Sequence, residues 1–123
     1  MEPVVEGAWL KDGATLIGAG PPTWRAREVD EATIAKADKL IVDSTEQAEI
    51  EAGDLCSAVD RGIIQWSKVH ELRHVVAKTV IGRDSEEQVV YAKIMGTGVA
   101  DVAAAKLAYD SAKERGLGTE IEW

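Results

Sequence analysis

Three short apolar runs, each bounded by turn formers and separated by helical stretches, most constrain what this chain can fold into. Ala14-Thr15-Leu16-Ile17-Gly18 is halted by Gly20-Pro21-Pro22-Thr23, and Lys39-Leu40-Ile41-Val42-Asp43 is a second run. Val89-Val90-Tyr91-Ala92-Lys93-Ile94-Met95 is the third, ended by Gly96-Thr97-Gly98. Between them, Asp30 caps a helix through Ala37, and Thr45 to Val59 reads as helix in two pieces broken near Gly53, with Asp54 capping the second. Ser67 is placed to cap a helix through Lys78 that gathers Val69, Leu72 and Val76 on one face. After a turn at Gly82–Ser85, an Ala-rich helix, whose alanines offer a close-packing face, runs from Val99 to Arg115 with Gly116 just past its end. Thr119 to Trp123 alternates like a terminal strand. Strands separated by helices require crossover connections, and these give a parallel sheet. The expectation is an α/β fold: one small parallel sheet, helices on both faces, in a single domain over residues 1–123. A doubly wound nucleotide-binding domain has about six strands, so the chain has the content of roughly half of one.

Charge excludes several partners. The net charge of −8 repels phosphate backbones and anionic lipid, so neither nucleic acid nor membrane is expected. At 46% hydrophobic and 29% charged the chain has globular composition, and its apolar runs are far shorter than the ~20 residues of a membrane span. The start, Met1-Glu2-Pro3-Val4-Val5-Glu6, has neither the basic region nor the apolar core of a signal peptide, so the expected compartment is the cytoplasm. The single cysteine, Cys56, has no partner for an intramolecular disulfide and reads as a small residue on an apolar helix face.

Three local patterns could carry chemistry. His70-Glu71-Leu72-Arg73-His74 is H-E-x-x-H, which on a helix points two imidazoles at one zinc ion. The sequence holds no third histidine, so the remaining ligand would come from the carboxylates of Asp84, Glu86 or Glu87. On the helix expected here both histidines fall on a solvated flank, and a surface pair is the plainer reading. Gly18-Ala19-Gly20 follows a strand, and Asp43 ends the next one, as in a dinucleotide fingerprint. Pro21 and Pro22, however, supply no amide donors and no helix start for a pyrophosphate. Trp24-Arg25-Ala26-Arg27 places two guanidinium groups beside an aromatic ring, a combination able to clamp a carboxylate. The candidate ligand loop at the sheet's C-terminal edge is therefore Gly18, Gly20, Pro22, Trp24, Arg25 and Arg27.

In order, these pieces resemble the C-terminal part of the ornithine cyclodeaminase/mu-crystallin family. The resemblance runs from Glu2-Pro3-Val4-Val5 and Gly7-x-Trp9-Leu10-Lys11-x-Gly13-Ala14-Thr15-Leu16 to Arg27-Glu28-Val29-Asp30 and Val42-Asp43-Ser44. It continues through Glu51-Ala52-Gly53-Asp54-Leu55, Glu71-Leu72, Gly82-Arg83-x-Ser85 and Val99-Ala100-Asp101-x-Ala103-Ala104-Ala105-Lys106 to Gly116-x-Gly118-Thr119. It implies a partial Rossmann-like, three-layer fold, NAD(P) as the family's cofactor, and homodimers. It also implies departures. The family's loop after the first strand carries a catalytic Asp and then a Lys at the cofactor; Pro22 and Ala26 stand at those positions. Ile94-Met95 replaces a Ser-Val pair near cofactor and substrate.

With neither the phosphate loop nor that Asp, the chain is expected to be a non-catalytic module with no catalytic, cofactor-binding or metal-binding residues of its own. It would act as an oligomer, most simply a homodimer, or as a small-ligand binder. The alternative is an oxidoreductase or cyclodeaminase module that binds NAD(P) once a second chain completes it. A zinc hydrolase built on His70, Glu71 and His74 is the third reading.

Overall fold

The computed structural model describes residues 2–20 and 23–121. Its elements are β1 (Thr15–Gly18), α1 (Glu31–Lys36), β2 (Lys39–Val42), α2 (Thr45–Glu51), α3 (Gly53–Asp60), β3 (Val69–Glu71), α4 (Leu72–Val76), β4 (Val90–Lys93) and α5 (Gly98–Glu114). The four strands form one sheet in the order β1-β4-β2-β3, and every pairing is parallel. This is the α/β fold with a small parallel sheet that the strand–helix alternation predicts.

Register sorts the strand residues onto two faces. Leu16, Tyr91, Leu40 and Val69 are aligned across the sheet, as are Gly18, Lys93, Val42 and Glu71 two residues further on. Leu40, Val42, Val69 and Tyr91 from this face pack with Ile34 of α1, Ala48 of α2, and Leu55 and Ala58 of α3 into the core. The small residues Ala48, Ala52 and Ala58 are fully buried and let the short helices lie close to each other and to the sheet. On the opposite face Ile41 and Val90 are buried, but Ile17 on β1 is 62% exposed.

Helix entry follows the local sequence. Asp30 Oδ1 accepts from Thr33 N at 2.8 Å and caps α1; the same oxygen accepts from Gly7 N at 2.9 Å, tying the N-terminal segment down. Burial pushes the Asp30 carboxyl up, but the bonds from Thr33 and Gly7 together outweigh it and hold the group below the usual carboxylate range. Ser44 caps α2 through Gln47 N.

Four expectations need correction. Residues 67–78 do not form one helix. Val69–Glu71 is instead an edge strand paired with Leu40–Val42, between a 3-10 turn at Trp66–Lys68 and a short α-helix at Leu72–Val76. Long-range pairing with β2 satisfies backbone groups that a helix would have satisfied locally, and Val69, β-branched, fits the sheet. Asp54 lies in the first turn of α3 but does not cap it, because its side chain reaches back to residues 28 and 29. The Ala-rich face of α5 is not packed into the core: no residue of this 17-residue helix is buried. Thr119 to Ile121 is irregular; the rest of the expected terminal strand lies outside the described residues.

Candidate functional site

The C-terminal ends of the parallel strands gather Gly18–Gly20 after β1, Asp43 after β2, Glu71 at the end of β3 and Met95-Gly96 after β4. Such an edge is where α/β sheets bind ligands. Here much of its polar capacity is engaged within the protein.

Lys93 points from β4 into the helix-covered face, and its side chain is only 2% exposed. Its Nζ pairs with Glu28 and stands 3.6 Å from Asp54 Oδ2. Asp54 Oδ1 accepts from the backbone amides of Glu28 at 2.7 Å and Val29 at 3.2 Å, and Tyr91 Oη donates to Asp54 Oδ2 at 3.3 Å. One buried cation thus faces two carboxylates, and both oxygens of Asp54 accept further hydrogen bonds, an arrangement that makes a buried charge tolerable. Burial, then the charges of Asp54 and Glu28, drive the Tyr91 phenol far above its usual value, so it remains a donor. Among the described residues no buried side-chain nitrogen or oxygen lacks a partner.

This cluster explains the glycine pair. A Cβ on Gly18 would lie 2.8 Å from Tyr91 Oη, and one on Gly20 would lie 2.4 Å from Glu28 Oε1. The glycines admit a carboxylate of the chain itself. A pyrophosphate does not fit at this pair: the carboxylate of Glu28 already occupies the approach and would repel it. Asp43 is engaged as well. Its Oδ2 accepts from Met95 N at 3.0 Å and Gly96 N at 2.7 Å, and its Oδ1 accepts from Ser44 N at 3.1 Å. The aspartate therefore pins the loop after β4.

The six residues expected in one ligand loop divide. Gly18 and Gly20 lie over Glu28, whereas Trp24, Arg25 and Arg27 line a cleft against α3. Pro22 lies outside the described residues. Cys56, expected on an apolar face, is half-buried and lines the same cleft.

The zinc-like pentapeptide is dispersed. His70 is on β3 and His74 on α4, so they do not share a helix face. Glu71 Oε1 accepts from Thr45 N at 2.9 Å, and its other oxygen pairs with Arg73 Nε at 2.5 Å. The Thr45 amide, more than Arg73, holds the Glu71 carboxyl below its usual value against the opposing effect of burial. Asp84, one of the offered third ligands, pairs with Lys39 at 2.7 Å. The arrangement has no water-activating carboxylate facing two imidazoles.

Sequence reasoning missed Lys93, Glu28 and Tyr91. The available signal was a lysine inside the otherwise apolar run 89–95, where a charge must find a partner.

The sequence profile of the ornithine cyclodeaminase/mu-crystallin family matches residues 1–116. A Delta(1)-pyrroline-2-carboxylate reductase of Bacillus cereus is 35% identical over 115 residues, covering 93% of this chain and 35% of that protein. The structure of the Thermococcus litoralis Delta(1)-pyrroline-2-carboxylate reductase in complex with NADH and L-proline superposes with a TM-score of 0.86 at 36% identity, covering 97% of this chain and 37% of that one. The iminosuccinate reductase of Paracoccus denitrificans in complex with NAD+ gives 0.85 at 29% identity, over 99% of this chain and 37% of that one. The chain thus spans about a third of the length of these relatives. On the profile match, the shared Rossmann-like fold and the identity over nearly its whole length, it belongs to the ornithine cyclodeaminase/mu-crystallin family.

Proposed function

We propose that the chain is one half of a cofactor domain of an NAD(P)-dependent reductase or cyclodeaminase, and that it works only when a complementary segment pairs along β1. The observation that carries this reading is the open flank of the sheet. Among the described residues β1 pairs with no strand but β4, and its Ile17 is 62% exposed. An uncovered strand edge with an exposed branched aliphatic calls for another strand. The relatives are about three times longer, and those with NADH or NAD+ bound supply the class of cofactor. The phosphate-binding loop would come from the complementary segment, since Gly18 and Gly20 are closed over Glu28. On this reading the buried Lys93 cluster holds the sheet's C-terminal edge in shape, and no residue described here performs the chemistry unaided.

The second reading, a stand-alone non-catalytic module that self-associates, draws on α5. Val102 and Leu107 are 71% and 72% exposed, so a second copy could cover that helix. One experiment separates the two. The chain is titrated with NADH alone and after co-expression with the remaining two thirds of the Bacillus cereus relative. The first reading expects NADH binding only in the co-expressed complex. A clean homodimer that neither captures that segment nor binds NADH would favour the second.

A further inference from the structure

Trp24, Arg25 and Arg27 face Cys56, Ser57, Asp60 and Arg61 across a cleft of about 430 Å³. In a chain with 22 acidic and 14 basic residues, three arginines against one aspartate around one cleft are a local reversal of charge. The cleft has a rigid frame. Ala26 N donates to Thr23 O at 3.0 Å, closing a turn, and Thr23 forms a bridge with Ala52 just before α3. A Cβ on Gly53 would stand 2.3 Å from Ala26 O and 2.7 Å from Trp24 O, so the turn rests directly on the backbone of α3. Beyond the turn, Asp54 holds the amides of Glu28 and Val29. The arginine-bearing segment is therefore anchored at both ends to the helix that forms the opposite wall.

The arginines have different tasks. Arg61 is tied to Glu31 at 3.0 Å. The guanidinium of Arg25 lies 4.8 Å from the centre of the Trp24 ring, which orients its planar fork in advance. Among the described residues neither Arg25 nor Arg27 pairs with a carboxylate. Burial, then the charge of Asp60, raise the Cys56 thiol above its usual value, so the thiol adds no negative charge, and Asp60 is the one carboxylate among the lining residues named. Ser57 contributes a hydroxyl.

We propose that this cleft binds a small oxyanion, a carboxylate- or phosphate-bearing metabolite, through Arg25 and Arg27, with Trp24 as its apolar wall. Forked guanidinium donors match both groups. The test uses the chain alone, with neither dinucleotide nor a complementary segment, so either proposal can fail without the other.

The test is a side-chain NMR titration of the arginine Nε–H signals with succinate and, separately, inorganic phosphate, against sodium chloride of equal ionic strength. Saturable shifts at Arg25 and Arg27 with half-saturation near ~1 mM are expected. Arg27→Gln and Arg25→Gln should each weaken binding about tenfold. Both side chains lie outside the core, so neither change should alter the fold. Occupancy should also slow alkylation of Cys56 by iodoacetamide. Saturation by succinate alone identifies a carboxylate ligand, and by phosphate alone a phosphate ligand. Shifts no larger than those with chloride, or equal ligand protection of Cys56 from iodoacetamide in the double variant, would overturn the proposal.

Discussion

The buried cluster at the end of β4 and the exposed surfaces of β1 and α5 are built by opposite rules. At the first, a lysine, two carboxylates and a phenol are sealed under three short helices, and each buried polar atom has a partner. Along the second, aliphatic side chains face outward and a 17-residue helix buries nothing. The first region is finished by the chain's own residues. The second has the composition of an interior without its covering, which is the physical content of a half-domain.

The largest expected effect falls in the finished region. Lys93→Met removes the buried cation that faces Glu28 and Asp54 and should cost about 3–5 kcal/mol in urea unfolding. A loss below about 1 kcal/mol would mean that the cluster is open to water and the contrast is overdrawn. Next is Gly53→Ala, whose methyl would meet the backbone oxygen of Ala26 at 2.3 Å; overpacking of this kind costs about 1–3 kcal/mol. Gly98→Ala at the start of α5 meets nothing within 4 Å and should be neutral or slightly stabilising, so the pair of glycine variants measures the contrast directly.

The pH dependence is smaller. Asp30 and Glu71 have folded-state values below their ordinary 3.8 and 4.5. Their contribution is therefore complete above about pH 5 and is lost as pH falls through those values. Asp30→Asn and Glu71→Gln should each flatten the acid limb of a stability–pH curve; an unchanged limb would remove the capping account. Smallest of all, Val102→Ser and Leu107→Ser should change the stability of the isolated chain by no more than about 0.5 kcal/mol. A larger loss would show that α5 is covered, as the self-associating reading requires.

The sequence made the strands β1, β2 and β4 and the helices α1 and α5 legible, because each has its own period and its own stop signals. It did not reveal β3. That three-residue strand exists through pairing with Leu40–Val42, some thirty positions away, and nothing local distinguishes it from the start of a helix. The same limit explains the site. Gly18-Ala19-Gly20 has the letters of a phosphate loop, but the group the glycines admit is Glu28, and only the fold brings the two together. Asp54 fits the pattern of a helix cap and acts instead as a link between segments. Arg25 stacked on Trp24 was readable, since neighbours in sequence are neighbours in space; the wall supplied by α3 was not.

The most direct test of the half-domain account is amide hydrogen exchange at two isoleucines. Ala14 O and Gly18 O both accept from β4, so alternation along the parallel strand turns the Ile17 amide toward the open flank. Ile41 lies on β2 between two paired strands. In the chain alone, Ile17 should exchange on the order of a hundredfold faster than Ile41, and it should slow when the complementary segment is added. Equal protection of the two amides in the chain alone, at a concentration where it is monomeric, would contradict the account.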